Sequence, residues 1–108
     1  MGRRKKRKND IWRKSHGRCA HCGEYTPIGS QTVDHYVPVS MGGGSDRRNL
    51  MPLCRRCNVR RQNFMIAPYD FYHYADEMAV NACVEYHKEW QKMGESAAGL
   101  RYRTWGME

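Results

Sequence analysis

Apolar and polar positions along this chain fall into short segments with different spacings. Ile11 and Trp12 follow Asn9 and Asp10, either of which can cap a helix running to about Ser15. "CAHCGEYTPIGS" is a tight cysteine turn followed by a loop rich in Gly, Pro and Ser. The alternation in "QTVDHYVPV" predicts a short strand that Pro38 ends or confines to an edge. After the loop "SMGGGSDRR", "NLMPL" is a second short extended piece. "CRRCNVRRQNFM" lacks Gly and Pro, which predicts a helix from about Arg55. Pro68 punctuates the chain again, and Asp70 can cap a further helix. In that helix Phe71, Tyr74, Ala75, Met78, Ala82, Tyr86, Trp90 and Met93 recur at three-to-four spacing, the strongest helical signal in the chain. The expected organisation is a basic arm over 1–8, a core over 9–66, a C-terminal helix packed on it over 67–94, and a tail over 95–108.

At 108 residues, 40% of them apolar, the chain fits one small domain with a modest core. A bound metal would be a useful staple for such a domain. No apolar run approaches the roughly 18 residues that a membrane span requires. The N-terminal "MGRRKKRKND" is charged, with no apolar stretch behind it, so it does not read as a secretory signal. The expectation is a cytoplasmic (intracellular) protein with no membrane partner, whose cysteines bind metal more readily than they form disulfides. Charge is unevenly distributed. Residues 1–61 carry 15 Lys/Arg against 4 Asp/Glu, a net +11, whereas residues 62–108 carry 4 against 7, a net −3. A solvated basic arm explains the first eight residues. It explains Arg47, Arg48, Arg55, Arg56, Arg60 and Arg61 less well, because arginine is the side chain suited to bidentate phosphate contact. A polyanion-facing surface is expected.

Cys19-x2-Cys22 and Cys54-x2-Cys57 form two knuckles separated by 31 residues. Four thiolates fill a tetrahedral structural Zn²⁺ site with no open position, and such a site contributes directly to folding free energy. Two disulfides are the alternative, but a two-residue spacing closes a strained loop that usually marks a redox pair. Cys83 reads as a small buried hydrophobe. His16 and His21 flank the first knuckle as bystanders or phosphate contacts.

Between the knuckles, "DHYVPVSMGGGSDRRNLMPLCRRCN" resembles the signature of the HNH endonucleases, in the subgroup with two zinc knuckles. The resemblance covers about Cys19 to Arg61. Its three signature positions fall on His35, Asn49 and Asn58, with 13 and then 8 residues between them. The Asp-His pair, Pro38, the glycine loop, the Asn-Leu and the cysteine before Asn58 agree as a set. The resemblance implies an α+β, zinc-stabilised fold: a ββα-metal core with a short N-terminal helix and a long C-terminal one. It also implies His35 as general base, Asp34 and Asn58 as holders of a catalytic divalent cation, and Asn49 as the side chain that fixes the loop presenting His35.

The residues point to the same chemistry by themselves. Phosphodiester hydrolysis needs an activated water, a cation on the phosphate oxygens and a stabilised leaving oxygen. An imidazole is substantially neutral at physiological pH and can take a proton from water. Asp34 and the amide of Asn58 offer hard oxygen ligands in a sparse site suited to Mg²⁺ or Mn²⁺. Many members of the family carry histidine where Asn58 stands, which strengthens the expected preference for hard ions. The reading is therefore a metal-dependent DNA endonuclease with a one-metal mechanism, acting as monomer or weak dimer. Its rivals are a non-catalytic zinc-ribbon-like nucleic-acid-binding module, and an accessory nuclease subunit with a protein partner in a phage or bacterial machine.

Overall fold

The computed structural model describes residues 10–27, 30–62 and 64–98, with side chains of the last helix described to residue 94. At its centre β1 (Gln31–His35) and β2 (Leu50–Cys54) pair antiparallel, in register from Gln31 opposite Cys54 to His35 opposite Leu50. Pro52 is tolerated because the sheet has two strands, so each has an edge that need donate nothing. That edge is still used: the Pro52 carbonyl accepts from the Ala20 N–H at 2.9 Å, which docks the first cysteine turn on β2.

All of β2 is buried, and α1 (Arg55–Arg61) follows it directly and packs against both strands. This hairpin on a helix is the expected ββα arrangement within a small α+β molecule. α2 (Pro68–Phe71) starts on Pro68, whose missing N–H costs nothing at a first helical position. α3 (Glu77–Ala98) is the long C-terminal helix. The core between them gathers Tyr36, Val37, Met51, Leu53, Phe71, Tyr72, Val80, Cys83 and Trp90, all buried.

Two expectations about the helices need correction. The helix expected from Asp70 is two pieces. Tyr74 N–H donates to Ala20 O at 2.9 Å and Asp76 N–H to Lys14 O at 2.7 Å, so tertiary hydrogen bonds replace helical ones between α2 and α3. α3 therefore starts with its own phase. Its buried side is Val80, Cys83 and Trp90, while Met78 and Met93 are 82% and 64% exposed. The apolar stripe read from the sequence counts through from Phe71 across a break. Cys83 is fully buried, and burial pushes its thiol up to about 12. The N-terminal helix also ends earlier than expected. Residues 10–13 are helical with Ile11 buried, and the chain then reverses through His16 and Gly17 at φ 54° and 83°.

The basic arm over 1–8 and the stretch beyond 98 lie outside the described residues. Among the described residues no helix is long and apolar enough to cross a membrane.

Candidate active site

The sulfurs of Cys19, Cys22, Cys54 and Cys57 all lie within 4.8 Å of one another, with Cys22 and Cys54 at 4.0 Å. A zinc tetrahedron with bonds of about 2.3 Å has sulfur–sulfur edges of roughly 3.8 Å, so these residues can close on the ion with small movements. Local geometry makes the first knuckle. Cys19 N–H donates to Glu24 O and Gly23 N–H to Cys19 O, at 2.8 and 2.9 Å. Gly23 sits at φ 82°, where a Cβ would come within 2.6 Å of the Tyr74 ring, so both the turn and its neighbour require glycine. Burial pushes the Cys19 and Cys57 thiols up, which disfavours thiolate there until a cation compensates. Cys22, more exposed, is shifted down: the Glu24 backbone and the neighbouring thiols outweigh its desolvation.

β1 ends at His35, and the chain bends over residues 36–37. The bend is held by Asn49, which is fully buried. Its Oδ1 accepts from Val37 N–H at 2.8 Å, and its Nδ2 donates to Val37 O and Gly44 O at 3.1 and 3.0 Å. The Asn49 carbonyl also accepts from Tyr36 N–H at 2.8 Å. One side chain thus ties both ends of the glycine loop to the residues after His35. The half-buried His35 imidazole makes no hydrogen bond among the described residues.

Asp34 faces the opposite side of β1 from His35, by the alternation of a strand. It is not an open ligand. Its Oδ1 accepts from Arg61 Nη1 at 2.6 Å and its Oδ2 from the Tyr72 hydroxyl at 2.6 Å, and Asp34 and Arg61 are each 4% exposed. Burial and the facing carboxylate push the Tyr72 phenol well up, so it stays a donor. Arg61 also donates to the carbonyls of His35, at 3.1 Å, and Tyr36. Asn58, one helical turn before Arg61, donates Nδ2 to Thr32 Oγ1 at 2.7 Å. Thr32 spends its hydroxyl proton on Leu53 O at 2.9 Å, so Asn58 must be the donor, and its amide oxygen is left without a hydrogen-bond partner among the described residues. Asn58 and Arg61 on α1 thus meet Thr32 and Asp34 on one face of β1.

The hard oxygen donors on this face are the Asn58 amide oxygen and the lone pairs that Asp34 has left, two of about four. The charge is wrong for tight binding, because Arg61 already neutralises Asp34. Tyr72 and this use of Arg61 escaped the sequence reading. Tyr72 lies 38 residues from Asp34 with no local signal, whereas Arg61 could have been suspected from its i+3 spacing to Asn58.

The arginines divide sharply, and Arg61 is a correction: a buried guanidinium spent on a carboxylate and two carbonyls cannot reach a phosphate backbone. Arg48 is held between Asp46 at 2.7 Å and Glu89 at 2.8 Å. It keeps both carboxyls below the ordinary carboxylate range. Arg47 pairs with Asp10 at 3.0 Å and Arg56 with Glu24 at 3.2 Å, both pairs at the surface. Arg55 and Arg60 are exposed and make no ion pair among the described residues. His16 pairs with Asp76 at 2.7 Å, and His21 stacks on Phe71 at 4.1 Å. Neither belongs to the cysteine cluster.

Residues 19–64 match the model of the HNH endonuclease family. The chain is also similar to the CRISPR-associated endonuclease Cas9 of Corynebacterium diphtheriae, 29% identical over 87 residues. That alignment takes in 75% of this chain and 8% of the relative, so the chain spans less than a tenth of the relative's length. The segment matched by the family model contains both knuckles, β1, β2 and α1.

Proposed function

We propose, from the premise that residues 19–64 form an HNH endonuclease domain, that this chain hydrolyses phosphodiester bonds of DNA with His35 as general base. The observation that carries the reading is a single imidazole, unbonded among the described residues, at the end of β1. The loop after it is locked by Asn49 and its own carbonyl is held by Arg61.

His35 takes the proton of the attacking water at a ring nitrogen. Asn49 keeps the bend after β1 in one conformation, so the imidazole is positioned before substrate arrives. Arg55 and Arg60, with Arg47 and Arg56 after exchange of their surface carboxylate partners, hold the phosphate backbone. Mg²⁺ or Mn²⁺ held by the Asn58 amide oxygen and Asp34 would supply positive charge to the phosphate and the leaving 3′ oxygen. Because Arg61 cancels the charge of Asp34, free protein should bind this ion only weakly, with substrate phosphate providing the remaining anionic ligands. Calorimetry with Mn²⁺ checks this: binding should be weak alone and tighter with a bound oligonucleotide.

A plasmid-nicking assay on zinc-loaded protein, with Mg²⁺ added or omitted, tests the main reading. Omission is the proper control, because a chelator would also strip the cysteine cluster. His35→Ala should lower cleavage by about 100-fold or more, the usual scale of a general base, and change DNA affinity little. Unchanged cleavage by that variant overturns the reading.

A second reading is favoured by the length of the relative: the corresponding segment lies within a far longer chain there. The unit here would then cut only within a larger assembly. Purified protein that binds DNA but nicks it only after addition of host lysate would favour that version.

A further inference from the structure

A cleft of about 230 Å³ opens beside the cysteine cluster, and neither His35 nor Asn58 lines it. Its walls are apolar: His21 and Phe71, stacked at 4.1 Å and 13°, with Phe64 and Ile66 on the segment after α1. Phe64 is 64% exposed and Ile66 43%, so the apolar surface continues from the cleft into solvent. Arg60 lines it from α1 and forms no ion pair among the described residues. Arg61 lines it too, although its terminal nitrogens are spent on Asp34 and on the carbonyls of His35 and Tyr36.

These features define the occupant. The volume lies below the ~300 Å³ at which clefts for drug-sized molecules begin, so a single flat ring system suits it better. An aromatic ledge accepts a π-face, and a guanidinium without an ion pair beside it asks for a neighbouring phosphate. We propose that this cleft is a subsite for one unstacked nucleobase of the bound strand, stacked on Phe64 with its phosphate on Arg60. The proposal rests on the nucleic-acid reading above and adds a contact to a base where the rest of the surface offers contacts to phosphate. The subsite would grip a strand where its stacking is already interrupted, at a single-stranded stretch, a mismatch or a kink. Duplex DNA would have to give up a base to fill it.

The test uses the full zinc-loaded chain, without Mg²⁺, and two single-stranded probes of equal length. One is a thymidine oligonucleotide, the other its abasic counterpart with the same phosphates. Wild type should bind the base-bearing strand more tightly. Phe64→Ala should weaken binding of the thymidine strand roughly 5- to 100-fold, the scale of one lost stacking contact, and leave the abasic strand unchanged. Arg60→Ala should weaken both strands and flatten the salt dependence by somewhat less than one ion. Phe64 is exposed, so its replacement spares the core, and Ile66→Ser gives a second variant of the same wall. Equal affinity of wild type for both probes, or a Phe64→Ala protein that binds the thymidine strand as wild type does, overturns the subsite. Neither result touches the nuclease reading, which stands or falls on plasmid nicking.

Discussion

The Asn49 side chain makes three hydrogen bonds to the loop after β1, and none reaches solvent because the residue is fully buried. Asn49→Ala leaves the Val37 N–H and two carbonyls without their partner, at about 1–3 kcal/mol for each group that stays unsatisfied. Chemical denaturation of the zinc-loaded variant should show a loss of several kcal/mol, or no cooperative transition. Asp34 and Arg61 form a buried pair, so Asp34→Asn strands a guanidinium at a cost of about 3–5 kcal/mol, and Asp34→Asn with Arg61→Met should recover part of it. A double-mutant cycle by denaturation reads this coupling. His35, Asn49 and Asn58 became candidates from the sequence because they stand close together within one short stretch. The partners of Asp34 could not, since a carboxylate gives no local sign of whether it will meet a cation, an arginine or a phenol.

Among the elements, the glycine loop and α3 act as a pair. Gly43 packs so closely that a Cβ would lie 1.8 Å from the Val37 carbonyl oxygen, an impossible approach. Gly43→Ala must therefore open the loop after His35. Cleavage should fall at least tenfold while zinc stoichiometry stays the same, a difference read by nicking assay and metal analysis. α3 supports the loop from outside: the Tyr86 hydroxyl accepts from Gly44 N–H at 2.9 Å, and Trp90 Nε1 donates to Met41 O at 3.0 Å. Tyr86→Phe should cost about 1 kcal/mol, the net worth of one such bond. Arg48 adds an ionic tie between the second loop end and Glu89 of α3. Arg48 lowers both Asp46 and Glu89, so near their ordinary pKa values the unfolded chain binds more protons than the folded one. Their contribution is present above about pH 4–5 and lost as pH falls through the lowered values. Denaturation between pH 3 and 6 should show that decline in wild type and less of it in Arg48→Ala. The strand, turn and α1 positions were legible because alternation, Gly and Pro mark them locally. The phase of α3 was not, because its start is set by hydrogen bonds to Ala20 and Lys14, far away in sequence.

For the molecule as a whole, the cysteine cluster joins the turn before β1 to the start of α1, and so closes the hairpin onto its helix. Metal removal should accordingly abolish the thermal transition, and Zn²⁺ but not Mg²⁺ should restore it, as followed by circular dichroism. On the proposed mechanism, activity should return only with zinc and magnesium together. The order of amino acids was enough to establish the cysteine spacing and the succession of hairpin then helix, and to show where carboxylate, imidazole and amide side chains stand. All of these are relations between near neighbours, or between residue types whose chemistry does not depend on burial. It took the packed chain to send Arg61 inside to Asp34, to spend Arg48 on α3, and to form an aromatic cleft beside the knuckles. Those outcomes depend on which side chains are removed from water together, and exclusion of water is a property of the assembled molecule that no single segment contains.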